Sequence, residues 1–209
     1  RLRAEGPAGG RALLISGVAG TDPAGQALHL AAGYTQVGES WIMRVEHAAP
    51  PPAPRWPAGV ELRPLRPGVD ERLAHELVNE TFGDLSDYRP VPYTNWANRM
   101  HTRAGYDPNF WFLTWAPGPD GDTLAGAALC FVEDGKGWVS QIGVRRPWRR
   151  QGLGLALLHH AFGAFFAAGQ PVVELGVDAA NATGAARVYE RAGMAVSRRY
   201  VRFEKRIGP

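Results

Sequence analysis

The run Ala48-Ala49-Pro50-Pro51-Pro52-Ala53-Pro54-Arg55-Trp56-Pro57 limits what this chain can fold into. Consecutive prolines fix φ, remove backbone donors and favour polyproline II, so no helix or central strand passes through them. The chain therefore divides into a short piece, 1–47, a linker, 48–57, and a longer unit, 58–209. The longer unit, at about 150 residues, has an ordinary domain size. The short piece is too small to be a second full domain, so the 209 residues make roughly a domain and a half.

Composition then removes several classes. A single cysteine, Cys130, excludes a disulfide framework and a multi-cysteine zinc site. Cys130 lies in an apolar run with no His nearby to activate it, which makes it a structural thiol. His159 and His160 are adjacent, so they point apart on a helix and are no metal pair; no metal site is expected. No apolar run approaches the roughly 18–20 residues of a membrane-spanning helix. Residues 1–10 lack the apolar core of a signal peptide, and a cytoplasmic location is expected. The net charge is only +3, yet 21 of the 23 basic residues are Arg. That excess is either a coding bias or a means of gripping phosphate and carboxylate groups. The Arg145–Arg150 cluster is too short, and too isolated from any recognition motif, to argue for nucleic-acid binding.

Hydrophobic periodicity gives a mixed α/β chain of the α+β kind. Strands are expected over Val60–Arg66, Phe110–Ala116, Thr123–Glu133, Gly137–Val144 and Val172–Val177. A last extended segment, Met194–Lys205, is expected to break near Ser197–Arg199. Helices are expected over Asp70–Thr81, Tyr93–Gly105, Gly152–Ala168 and Ala182–Ala192, with Asp70 and Thr94 as N-caps. Asp134-Gly135 marks a hairpin. The order after the linker is β-α-α-β-β-β-α-β-α-β. The short piece repeats the end of that order: strand Ala12–Gly17, helix Pro23–Ala32, strand Trp41–Glu46. Gly17-Val18 falls on Gly176-Val177 and Gly33-Tyr34 on Gly193-Met194, with His29 at the place of Tyr189.

The chemistry concentrates in Gln141–Gly154, where a strand ends at Val144, a turn carries four arginines and a helix starts at Gly152. Glycines there let a ligand reach the first backbone N–H groups, where the helix dipole favours an anion. A nucleoside-triphosphate loop needs Lys-Ser/Thr after the last glycine, and Leu155-Ala156 stands there instead. A dinucleotide fingerprint needs Gly or Ala where Leu157 stands. What remains is Arg149-Arg150-Gln151-Gly152-Leu153-Gly154, an Arg-x-x-Gly-x-Gly loop. It resembles the acyl-CoA pyrophosphate loop of the GNAT N-acetyltransferase superfamily. Asn181 follows the next strand and Tyr189 lies on the next helix, in that superfamily's order, and the likeness covers 60–205. With a half-domain and a linker in front, the plan resembles tandem members of the mycothiol synthase kind whose first domain is truncated.

The resemblance implies a GNAT fold, with a mixed central sheet flanked by helices. It implies transfer of an acetyl group from acetyl-CoA to a small-molecule primary amine by direct attack in a ternary complex. Backbone groups of Ile142, Gly143 and Val144 would hold the pantetheine. Arg149, Arg150, Gln151, Gly152, Leu153 and Gly154 would hold the pyrophosphate, and a loop arginine the ribose 3′-phosphate. Asn181 would contact the pantetheine or cap a helix. Tyr189 would be the general acid for the leaving thiolate. The base is less determined: Glu133 is the first choice, with Glu174, Glu80 and Asp178 as others, because Gln141 stands where the family often has an acid. A buried or capping role remains open for Tyr189 and Asn181, and a surface role for each arginine. Aromatic residues of 84–101, among them Tyr88, Tyr93 and Trp96, would wall the acceptor pocket. From charge and hydropathy, neither a nucleic-acid nor a membrane partner is expected, and a homodimer is left open. The rival reading is a non-catalytic acyl-CoA-binding or regulatory module.

Overall fold

The computed structural model describes residues 12–85, 88–119, 121–181 and 184–208. Along the chain run β1 (Ala12–Ala19), α1 (Pro23–Ala31), β2 (Thr35–Glu46), β3 (Glu61–Arg63), α2 (Asp70–Phe82) and α3 (Tyr93–His101). Then follow β4 (Trp111–Gly118), β5 (Gly121–Glu133), β6 (Lys136–Val144), α4 (Leu153–Ala167), β7 (Val172–Asp178), α5 (Ala185–Arg191) and β8 (Ala195–Ile207). The fold is mixed α/β, and after the linker the order is the one expected. Residues 48–57 form neither helix nor strand. The expected helix start at Ala182, and residues 1–10, read above for a signal peptide, lie outside the described residues. Among those described, no helix is long and apolar enough to cross a membrane.

The described residues group into two units, one of 12–42, 177–180 and 196–208, the other of 43–176 and 181–195. In the first, the strand order is β1-β8-β2. β1 and β8 pair antiparallel from Ala12 opposite Ile207 to Ala19 opposite Tyr200. Val18, Val201 and Phe203 form its small core. Asp22 caps α1 by accepting from the Gly25 N–H at 2.9 Å.

In the second unit β3, β4, β5 and β6 pair antiparallel in sequence, and β7 runs parallel to β6. Asp134 and Gly135 close the β5–β6 hairpin with φ of 49° and 70°, both left-handed as a tight primed turn demands. Helices α2 and α3 bury Ala74, Leu77, Val78, Trp96 and Met100 against Trp111, Leu113, Leu129 and Phe131 of the sheet. Helix α4 buries Leu153, Leu157, Ala161 and Phe165. Each such large apolar side chain contributes about 1.5–3 kcal/mol.

Several boundaries differ from expectation. β3 stops at Arg63 because Pro64 has no N–H to give a ladder. β2 begins at Thr35, and α3 ends at His101. β8 is unbroken, since Arg199 accepts from the Gly20 N–H at 2.8 Å and the polar Ser197-Arg198-Arg199 side chains sit on an exposed stretch. Asp70 is no N-cap: it is buried, accepts from the Arg66 N–H at 2.8 Å and pairs with the Arg66 guanidinium at 2.7 Å. Thr94 does not cap α3, whose N-cap position is Pro92.

Two glycines separate close packing from open space. A Cβ on Gly143 would lie 2.3 Å from Thr81 Oγ1 and 3.0 Å from Leu77 Cδ2, whereas one on Gly163, inside α4, would meet nothing within 4 Å. Gly143→Ala should therefore cost about 1–3 kcal/mol in urea unfolding by overpacking. Gly163→Ala should gain about 0.5–1 kcal/mol by helix propensity. Equal effects from the two would contradict this packing.

Candidate active site

Strands β6 and β7 part company midway. Their parallel pairing runs only from Gly137 opposite Val173 to Val139 opposite Leu175, although β6 continues to Val144. The parting coincides with a bulge: Leu129 faces Gln141 and Cys130 faces Val139, so Ser140 is the extra residue. A regular strand would place Gly137 and Gly143, six apart, on one face. The bulge reverses the second half. Gly137 faces Phe165 of α4, at 2.5 Å from a built Cβ, while Gly143 faces Thr81 of α2. Past the bulge, Ile142, Gly143 and Val144 therefore keep a free edge on the side where β7 has left.

That edge leads into the arginine turn. Arg146–Trp148 form one 3-10 turn, and Arg149 closes back, its Nε donating to the Val144 carbonyl at 2.8 Å. Arg149 Nη1 also donates to Asp84 at 2.7 Å, Arg146 pairs with the same Asp84, and Arg145 pairs with Glu80 at 2.9 Å. The two guanidinium groups hold the Asp84 carboxyl below its usual range. Three of the four loop arginines are thus committed to carboxylates at the end of α2. Asp84, which braces the turn, was missed in the sequence, since nothing local marks a partner more than 60 positions away.

Beyond Arg149 the backbone changes hand. Arg150 has φ 61° and Gly152 φ 88°, left-handed values that glycine takes freely and arginine adopts at a cost of about 1 kcal/mol or more. Alternating hands aim successive N–H groups at a common point and make an anion nest. Among the described residues, the N–H groups of Arg150, Gln151, Gly152, Leu153 and Gly154 have no protein acceptor. They head a 15-residue helix whose dipole adds to their positive field. This arrangement fits a pyrophosphate.

Tyr189 on α5 is buried, and desolvation pushes its phenol up to about 12. Its hydroxyl donates to no protein group among the described residues. It therefore holds its proton at neutral pH and has it to give. Its counterpart His29 is tied down instead, hydrogen-bonded to Ser16 Oγ at 2.9 Å and to the Gly25 carbonyl at 2.8 Å. Asn181 is half-buried just after β7.

Each carboxylate named from the sequence has a cation. Glu133 accepts from Arg103 at 2.5 Å, Glu174 lies 3.7 Å from Lys136, Glu80 pairs with Arg145, and Asp178 pairs with Arg202. Arg103 also donates to Ser140 Oγ at 2.7 Å, so one guanidinium links Glu133 to the bulge. Gln141 accepts from Trp96 Nε1 at 3.0 Å. Trp96, expected in a pocket wall, is a core residue packed on His75 and Trp111. Tyr93 covers the Arg72 guanidinium, and Tyr88 donates to Asn79.

The Asp84 bridge has a definite pH signature. A carboxyl whose folded pKa is depressed stabilises the fold above its unfolded pKa and loses that contribution as pH falls through the folded value. Asp84→Asn should melt lower than the parent at pH 7, with the gap closing below about pH 4. A gap that stays constant to about pH 3 would contradict the bridge.

Comparison with known proteins follows the same lines. Residues 72–194 match the acetyltransferase (GNAT) family. A mycothiol acetyltransferase of Catenulispora acidiphila is 31% identical over 181 residues, which are 83% of this chain and 56% of that protein. One of Thermobispora bispora is 34% identical over 176 residues, 80% of this chain and 58% of that protein. A GCN5-related N-acetyltransferase from Sphaerobacter thermophilus superposes with a TM-score of 0.80 at 38% identity, covering 97% of this chain and 62% of that one. A tandem GNAT protein from the clavulanic acid biosynthesis pathway shares the fold, with a TM-score of 0.69 at 19% identity over 94% of this chain and 65% of that one. This chain thus spans less than two thirds of each of these relatives. By sequence and by fold, it belongs to the acetyltransferase (GNAT) family.

Proposed function

We propose that residues 58–209 form an acyltransferase domain that moves an acetyl group from acetyl-CoA to a primary amine of a small molecule. On this reading, 1–47 is the tail of a related first domain, joined through 48–57. The observation that carries the reading is the row of N–H groups from Arg150 to Gly154, which have no acceptor among the described residues, at the head of α4 beside the parted strands. Those groups hold the pyrophosphate, and the free edge of Ile142, Gly143 and Val144 lines the pantetheine. The coenzyme supplies an activated acyl thioester. The mycothiol acetyltransferase relatives support a small-molecule amine as acceptor.

The chain's own groups do the rest. The parted strands fix the approach of the two reactants, which removes much of the entropy cost of their meeting. Tyr189 keeps a proton on its phenolic oxygen for the departing thiolate, because burial disfavours the phenolate. Glu133, fixed by Arg103 near Ser140, takes the amine proton through solvent. Asn181 orders the entry to α5.

A second reading, coenzyme binding without turnover, draws on the ion pairing of every candidate base and on the Gln141–Trp96 bond. Kinetics and calorimetry separate the two. Acetyl-CoA should bind the full chain with a heat that saturates, and an amine panel should show turnover. Tyr189→Phe should lower kcat at least tenfold while leaving coenzyme affinity within about twofold. Binding without turnover for any amine would favour the second reading, and no binding at millimolar coenzyme would end both. Because Tyr189 stays neutral, phenolate absorbance below about pH 11 should be the same in Tyr189→Phe as in the parent.

A further inference from the structure

Arginines near the nest fall into two groups. Arg145 is ion-paired with Glu80, and Arg146 and Arg149 share Asp84. Arg55, from the proline linker, and Arg150 have no ion-pair or hydrogen-bond partner among the described residues. Arg55 stands on one side of a cleft of about 430 Å³, beside Pro52; Gln151, Gly152, Leu155 and His159 form the other side. His159 likewise has no hydrogen-bond partner among the described residues. Gln151 and Gly152 belong to the nest as well, so the cleft begins where the nest ends. Its walls combine apolar surface with an unpaired cation, which suits a nucleoside carrying a phosphate.

We infer that the linker cleft seats the 3′-phosphoadenosine end of the coenzyme, with Arg55 as the counter-ion of the 3′-phosphate. This rests on the coenzyme reading above and redirects one part of it. The arginines of the turn brace the loop on α2, and the phosphate-reading arginine comes from a segment almost a hundred residues upstream. Arg55 lies outside the 72–194 stretch that the family match covers. The role therefore belongs to this chain's linker rather than to the shared domain. The prolines have a part in it: a polyproline backbone holds Arg55 at the cleft without the entropy loss a flexible linker would incur on binding.

The test compares coenzyme A with 3′-dephospho-coenzyme A by calorimetry on the full chain, its Arg55→Gln variant and its Arg55→Lys variant. The parent should bind coenzyme A about tenfold more tightly than the dephospho form, a charge-assisted contact's worth. Arg55→Gln should erase that preference by weakening coenzyme A alone, and Arg55→Lys should retain part of it. The parent's preference should also shrink as salt rises. Equal binding of both forms by the parent, or a preference that survives Arg55→Gln, would overturn the assignment while leaving the nest intact. If neither form binds the parent, the coenzyme reading itself fails and this inference with it. Arg55 is exposed and unpaired, so its variants should melt at the parent's temperature, and a lowered melting point would show Arg55 to be structural instead.

Discussion

Helix α2 lies so close to strand β6 at Gly143 that a single added carbon would collide with Thr81. Thr81 tolerates that burial because its hydroxyl donates to the Leu77 carbonyl inside its own helix, at 2.8 Å. The contact fixes the end of α2 over the end of β6. Glu80 and Asp84 thereby arrive beside Arg145, Arg146 and Arg149. Arg149, held at Asp84 and at the Val144 carbonyl, sets where the turn ends and the left-handed Arg150 begins. The orientation of the N–H groups of Arg150 to Gly154 is thus a consequence of helix packing, transmitted through one glycine and one carboxylate.

Much of this was legible in the sequence because it is local. The Arg-x-x-Gly-x-Gly loop, the Asp134-Gly135 turn and the order of strands and helices all depend on near neighbours and on hydrophobic period. What stayed hidden depends on distant ones. Ser140 carries no mark of a bulge, since a bulge is a property of the pairing with β5 and not of either strand alone. Asp84 carries no local mark of its role, because its two arginine partners lie more than 60 residues away. Trp96 looked like a pocket residue because an aromatic in a helix next to a loop serves equally well as core. Asp70 and Thr94 had the right composition for caps, but Asp70 is engaged by Arg66 and the cap positions fall at Val69 and Pro92.

The same strand-helix-strand order occurs at both ends of the chain with different polar surroundings. In β7-α5-β8, Tyr189 is buried with its hydroxyl uncommitted among the described residues. In β1-α1-β2, His29 sits at the corresponding place with both ring nitrogens engaged. Both ring nitrogens of His29 are thus committed to neighbours on β1 and α1.

The central claim is that the N–H groups of Arg150 to Gly154 are the anion site. Amide NMR of the isotope-labelled chain tests it most directly, by following each backbone N–H as coenzyme A is added. The account predicts that the largest downfield proton shifts fall on residues 150–154 and saturate together, as new charge-assisted hydrogen bonds form. Saturable binding with those five amides unmoved, and the large shifts elsewhere, would contradict it.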